Sequence, residues 1–171
     1  MRKLALLGII AGTLLLGGCF SDATTTNGTP AVKPATEQVV LYYANKDATK
    51  VVVEKRDVAP DKKTMQNAVT QLIAGPSDNR THSFFPKGTK CLGVVSKNGV
   101  ATVDFNDALK SVKTELGSGE QMLLIASLVN TLTEFQGVTS IQISVNGKLL
   151  KVLGDFDLSE PIGRSDELIE K

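Results

Sequence analysis

The stretch SGEQMLLIASLVNTLTEFQ, residues 118–136, decides the architecture. At about 100° per residue, Leu124, Phe135, Leu128, Leu132, Ile125, Val129, Met122 and Ala126 sweep out roughly 200° of a helical circumference. A helix this apolar needs more than one neighbour to cover it. Ser118 followed by Gln121 has capping-box spacing, which places the helix start at Ser118. Gly137 is placed to cap the other end in a left-handed conformation. Glu120, Ser127, Asn130, Thr131 and Glu134 fill the remaining arc and are expected as a solvated strip or an interface.

Hairpins flank this helix. Before it, Asn98-Gly99 favours a type I′ turn, which pairs Lys97 with Val100, Val94 with Val103 and Leu92 with Phe105. That register puts Leu92, Val94, Val103 and Phe105 on one face. After it, Asn146-Gly147 pairs Val145 with Lys148, Ile143 with Leu150 and Ile141 with Val152. Further upstream, Val39–Tyr43 and Val51–Glu54 read as a first hairpin around Asn45-Lys46-Asp47. In a regular strand Tyr42 and Tyr43 face opposite sides, one in the core and one at the surface. Met65, Ala68, Val69, Leu72 and Ile73 form the stripe of a helix over 61–74, with Asp61 as N-cap and Gly75-Pro76 as its stop. The order is ββαββαββ. It predicts an α+β fold, a mainly antiparallel sheet of three hairpins with both helices on one face.

The N-terminal segment lies outside this fold. Met1-Arg2-Lys3 is basic, and Leu4–Leu16 is apolar but short for a membrane span. Leu16-Gly17-Gly18-Cys19 resembles the bacterial lipobox. The resemblance implies a signal peptide over 1–18, cleavage before Cys19, and a diacylglyceryl group on its sulfur that anchors the chain at the extracytoplasmic side of the cell membrane. Residues 19–37 then read as a disordered tether, with ends on the order of 20–25 Å apart. The folded domain spans 38–165, and 166–171 reads as a charged tail. The chain has 19 basic and 18 acidic residues; cleavage removes Arg2 and Lys3 and leaves 17 against 18. This balance, with no basic run interleaved with aromatics, argues against a nucleic-acid partner.

Little in the sequence can carry catalysis. One His and two Cys are too few for a Cys/His metal site or a disulfide framework. No nucleophile elbow or phosphate-binding glycine loop occurs, so no catalytic, cofactor or metal residue is assigned. His82 reads as a loop residue, with a ligand or general base as the alternative; Cys91 reads as a small hydrophobe rather than a nucleophile. Asp104 and Asp107 form either a cation site or a cap, while Asp155 and Asp157 belong to a turn. Lys46, Lys50, Lys55 and Arg56 gather near the first hairpin and point to an anionic cell-wall polymer or peptidoglycan, diluted by Asp47, Glu54 and Asp57.

Seven segments in order resemble the GerM domain family of bacterial sporulation and germination proteins. They are Leu41–Tyr43, Leu72–Pro76, Phe85–Lys90, Gly99–Phe105, Val129–Phe135, Val138–Lys148 and Pro161–Arg164. The resemblance implies an α+β fold similar to ring-building motifs and a non-enzymatic envelope role without a cofactor. It also implies association with an envelope protein or with itself. Better-known members carry two such domains; this chain resembles a single copy.

Overall fold

A computed structural model describes residues 35–171; the signal peptide, Cys19 and most of the expected tether lie outside the described residues. Its strands are β1 (Glu37–Asn45), β2 (Val51–Val58), β3 (Thr81–His82), β4 (Cys91–Lys97), β5 (Val100–Phe105) and β6 (Ser140–Val145). Four two-residue strands follow: β7 (Lys148–Leu149), β8 (Val152–Leu153), β9 (Phe156–Asp157) and β10 (Ile162–Gly163). The helices are α1 (Met65–Ala74), the single turn α2 (Val112–Glu115) and α3 (Ser118–Leu132). The α+β class holds, but the strands divide into two larger sheets. The first hairpin and β3 form one, ordered β2-β1-β3; the other runs β10-β6-β5-β4, with β7 added to β6.

Both Asn-Gly turns form where the sequence places them. Asn98 and Gly99 have φ of 53° and 82°, and Asn146 and Gly147 of 49° and 76°, the positive values a type I′ turn demands. Lys97 pairs with Val100 and Val94 with Val103 as expected. Beyond Val94 the register slips. A bulge between Cys91 and Gly93 sets Cys91, not Leu92, opposite Phe105. Leu92 therefore leaves the core and is 49% exposed. In the later hairpin Val145 pairs with Lys148, and Leu150 N–H still donates to Ile143 O at 2.9 Å. The hairpin ends there. Ile141 pairs with Ile162 of β10 instead of Val152, which pairs with Asp157 in the small β8–β9 sheet.

Strand β6 lies parallel to β5, with Val103 beside Ile143. Helix α3 carries the chain back between them, which makes a β–α–β crossover within a mainly antiparallel sheet. Both helices start or stop where their caps dictate. Thr64, not Asp61, caps α1, its Oγ1 accepting from Asn67 N–H at 3.1 Å; Pro60–Lys62 is a separate 3₁₀ turn. At the far end of α1, Gly75 has φ +96° and takes the cap as expected. The N-cap of α3 is Gly117, whose N–H donates to Glu120 Oε2 at 2.9 Å, one residue before the predicted cap Ser118. Its α-helical part ends at Leu132, four residues short of Gln136, and 3₁₀-type bonds carry the chain on to Gly137 at φ +81°.

Leu124, Leu128, Val129 and Leu132 of α3 pack with Val103, Phe105, Ile141 and Ile143 of the five-stranded sheet and with Leu41 and Tyr43 of β1. Leu123 and Ala126 pack with Tyr42, Ala44 and Val51 in a second cluster. The helix is thus enclosed by both sheets. Burying a side chain such as Leu128 stabilises by about 1.5–3 kcal/mol.

Candidate functional site

The polar strip of α3 is the largest departure from expectation. Ser127, Asn130 and Thr131 are buried, the last two completely. Polar groups at such depth need partners; the C-terminal segment supplies those of Asn130, and β1 supplies that of Thr131. Asn130 Nδ2 donates to Ser165 O at 3.2 Å, and Asn130 Oδ1 accepts from Ser165 N–H at 2.9 Å. Thr131 Oγ1 accepts from Tyr42 N–H at 3.0 Å. Where a charged tail is expected over 166–171, the chain folds back. Asp166–Leu168 forms a 3₁₀ turn, Ile169 bridges to Val51, and Glu170 N–H donates to Val51 O at 2.8 Å. This strap runs from β10 in one sheet, over α3, to β2 in the other.

Arg164 is the strap's hub. Its Nη1 lies 2.9 Å from Glu134 Oε1, its Nη2 donates to Tyr42 Oη at 2.8 Å, and its Nε meets Asp166 Oδ1 at 2.7 Å. The guanidinium also sits 5.4 Å from the centre of the Tyr42 ring. Burial disfavours its charge, but bonds to Asp166, Tyr42 and Glu134 outweigh this and raise its pKa. Tyr42 is therefore buried, and so is Tyr43 on the opposite side of β1, although the sequence predicts one of the two rings at the surface. Tyr43 Oη donates to Gln71 O at 2.8 Å, and the Arg56 guanidinium lies 5.5 Å from its ring. Each face of β1 thus carries an arginine–tyrosine clamp.

These clamps divide the expected basic cluster. Arg56 turns inward, bonded to Glu54 at 2.6 Å and to Gly75 O at 2.8 Å. Burial works against the Glu54 charge, yet Arg56 and Ser77 hold its pKa below the usual carboxylate range. Lys50 Nζ bonds to Glu167 O, and Lys55 is exposed on β2. A cleft of about 600 Å³ beside the first turn mixes Lys46 and Arg80 with Asp47, Glu54, Asp78 and Glu170. It is not the cationic surface the sequence suggested.

The carboxylate candidates are engaged in local contacts. Asp104 Oδ1 accepts from Ser144 Oγ and Gly147 N–H, both at 2.8 Å. Asp107 accepts from Asn146 Nδ2 at 2.8 Å and pairs with Lys110 at 2.6 Å; these contacts, Lys110 first, lower its pKa. Together the two carboxylates brace the Asn146-Gly147 turn. Asp157 Oδ1 accepts from Ser159, and Asp155 Oδ2 from Ser118 Oγ. His82 is exposed on β3, whereas Cys91 is half-buried on β4, where burial raises its thiol pKa. Among the described residues no three Asp, Glu, His or Cys side chains converge as metal ligands.

What remains open is the five-stranded sheet. Its inner face carries Ala101, Val103, Phe105, Ile141 and Ile143 against the helices. The alternation of a strand puts Val95, Thr102 and Gln142 on the other face, with Leu149 beside Ser144. Val95 is 70% exposed and Leu149 57%. Strand β4 is the edge of this sheet, and its outward side carries the bulged Leu92 as well as Val95.

Residues 40–151 match the family profile described as Germane, sporulation and spore germination. The chain belongs to the GerM family. It is 32% identical over 146 residues to the spore germination protein GerM of Bacillus subtilis strain 168, covering 78% of this chain and 38% of that protein. The chain thus spans less than half of this curated relative. The tandem GerMN domains of the same protein match with TM-score 0.61 and 30% identity, covering 81% of this chain and 50% of that one. Its first GerMN domain alone matches with TM-score 0.64 at 24% identity, covering 77% of this chain and all of that one, which speaks for the fold.

Proposed function

We propose that this GerM-family chain is a lipid-anchored protein of the bacterial envelope, held by Cys19 at the extracytoplasmic face of the membrane. Its domain is a non-catalytic docking module that serves an assembly step of sporulation or germination. The observation that carries the docking role is the exposure of Val95, Leu149 and Leu92 on one side of a sheet whose other side is packed on helices. Val95 and Leu92 lie on the unpaired edge strand β4 and Leu149 on β7 across the sheet, and apolar side chains exposed at an unpaired edge are costly to leave in water and invite a partner strand or surface. The occupant is another envelope protein or a second copy of the chain. The lipobox spacing at Leu16–Cys19 supports the anchor; no helix among the described residues is long and apolar enough to cross a membrane.

Two variants separate these claims. Cys19→Ala should shift the protein from the membrane to the soluble extracytoplasmic fraction; unchanged attachment contradicts the anchor. Val95→Lys with Leu149→Lys should leave the anchor and the melting temperature intact while abolishing co-isolation of the partner. Co-isolation that survives the double substitution contradicts the sheet-face reading.

A further inference from the structure

Three loops close the end of the sheet at which β5 and β6 finish and β4 begins. They are knitted together by backbone and carboxamide bonds. Asn106 Nδ2 donates to Gly88 O at 2.9 Å, Asn106 Oδ1 accepts from Lys90 N–H at 2.9 Å, and Asn146 N–H donates to Phe105 O at 2.9 Å. Asp107 ties Lys110 and Asn146 together. Lys87, Lys90, Lys110 and Lys148 all project from these loops and are exposed. The carboxylates among them are already engaged. Asp104 is taken up by Ser144 and Gly147, and Asp107 by Asn146 and Lys110. Lys113 and Glu115 on α2 offset one another. Among the described residues Lys87, Lys90 and Lys148 make no ion pair. A fixed frame thus presents four ammonium groups against the two carboxylates Asp104 and Asp107, and the fields of the excess positive charge add.

The described chain begins at the other end of the molecule. Glu37 pairs with Lys63, and Gln38 and Val39 line a cleft with Ser96 and Val138, where β4 ends and β6 approaches. A six-residue strand separates the two ends by about 20 Å. A tether leaving from the Glu37 end leaves the lysine-bearing end on the side away from the anchor.

We propose that Lys87, Lys90, Lys110 and Lys148 form a docking surface for a phosphate-bearing anionic polymer of the cell wall. Lysine ammonium groups meet phosphodiester oxygens as point charges and need no fixed register, which suits a flexible repeating polymer. The choice of polymer over lipid headgroups rests on the anchor reading above, because a tether attached at the Glu37 end holds that end nearer the membrane than the lysine-bearing end. The surface differs from the Val95 face and is independent of any protein partner there.

The test uses the full chain in non-ionic detergent with poly(glycerol phosphate) as probe, read by co-sedimentation at low salt. Each lysine-to-glutamine change at these positions should weaken binding about fivefold. The quadruple variant Lys87→Gln, Lys90→Gln, Lys110→Gln, Lys148→Gln should lose it by more than about a hundredfold, with its circular-dichroism melt unchanged. A control with the same change in charge, Lys55→Gln, Lys62→Gln, Lys97→Gln, Lys151→Gln, should bind nearly as well as the parent. Equal loss in the control overturns the proposal, since net charge alone would then explain binding. So does absence of parental binding. Binding to vesicles of anionic phospholipid in preference to the polymer, lost in the quadruple variant, overturns the choice of polymer. A Cys19→Ala chain should still bind the polymer in solution, which separates failure of this surface from failure of the anchor.

Discussion

Asn130→Ala separates a solvated polar strip from the buried one seen here. On an exposed helical face alanine is the better helix former, so the change would leave stability unaltered or raise it by several tenths of a kcal/mol. The structure predicts the opposite. Asn130 is fully buried, and its carboxamide is the partner of both the N–H and the C=O of Ser165. Leaving a buried backbone group unsatisfied costs about 1–3 kcal/mol. Two groups are orphaned, but Ser165 is only half-buried and water can recover part of the loss. The small void left by the carboxamide adds to the cost. The expected destabilisation is about 2–4 kcal/mol. Urea denaturation followed by tyrosine fluorescence reads this directly, since the chain has two tyrosines and no tryptophan, and both tyrosines lie in β1 beside α3. A lowered midpoint with an unchanged slope is expected. Hydrogen exchange should show faster opening at Glu170 N–H, which the strap holds on Val51. A change within about 0.5 kcal/mol, the range of ordinary surface substitutions, would refute the strap as the cover of α3.

Other predictions follow from the same packing. Gly154 has φ +60°, and a Cβ there would overlap the Gln121 carboxamide, so Gly154→Ala should destabilise by about 2 kcal/mol or more. Gln121→Ala in that background should recover part of the loss by removing the overlap, as a double-mutant cycle would show. Leu128→Ala, at a fully buried site enclosed by both sheets, should cost about 2–5 kcal/mol in the same assay. Burial pushes the Tyr43 phenol up to about 12, and burial followed by the Glu134 hydrogen bond raises Tyr42. The native state therefore holds these protons above the ordinary phenol pKa near 10. The resulting stability is complete below that value and is lost as pH rises through about 12. An ultraviolet titration of the native chain should show neither phenol ionising near its ordinary value; normal ionisation of both would contradict the two clamps.

Local chemistry was legible and distant chemistry was not. Asn98-Gly99 and Asn146-Gly147 declare their turns because two consecutive positive φ values suit few other residues. Gly75-Pro76 declares the end of α1 in the same way. The register of β4 failed at Gly93, and a glycine inside a strand pattern is itself a bulge signal that would have moved Leu92 out of the core. The cap of α3 slipped by one residue because Gly117 with Glu120 and Ser118 with Gln121 have the same spacing. Gln121 instead bonds Leu116 O and Asp155 N–H. The burial of Asn130 and Thr131 could not be read from the periodicity of α3, because their covers lie elsewhere in the chain, at Ser165 and at Tyr42. The parallel β5–β6 pairing was hidden for a similar reason: each Asn-Gly hairpin specifies only its own antiparallel partner. The basic cluster near the first turn dissolved because strand alternation sends Arg56 inward while Lys55 stays out.

The most direct test of the docking role is site-specific photo-crosslinking in living cells, with the reactive residue placed at Val95, at Leu149 or at Thr70 on the exposed side of α1. The sheet-face reading predicts a discrete adduct from Val95 and Leu149, either with one envelope protein or with a second copy of the chain, and none from Thr70. Adducts from Thr70 alone, or no adduct from Val95 in membranes that retain the protein, would contradict it.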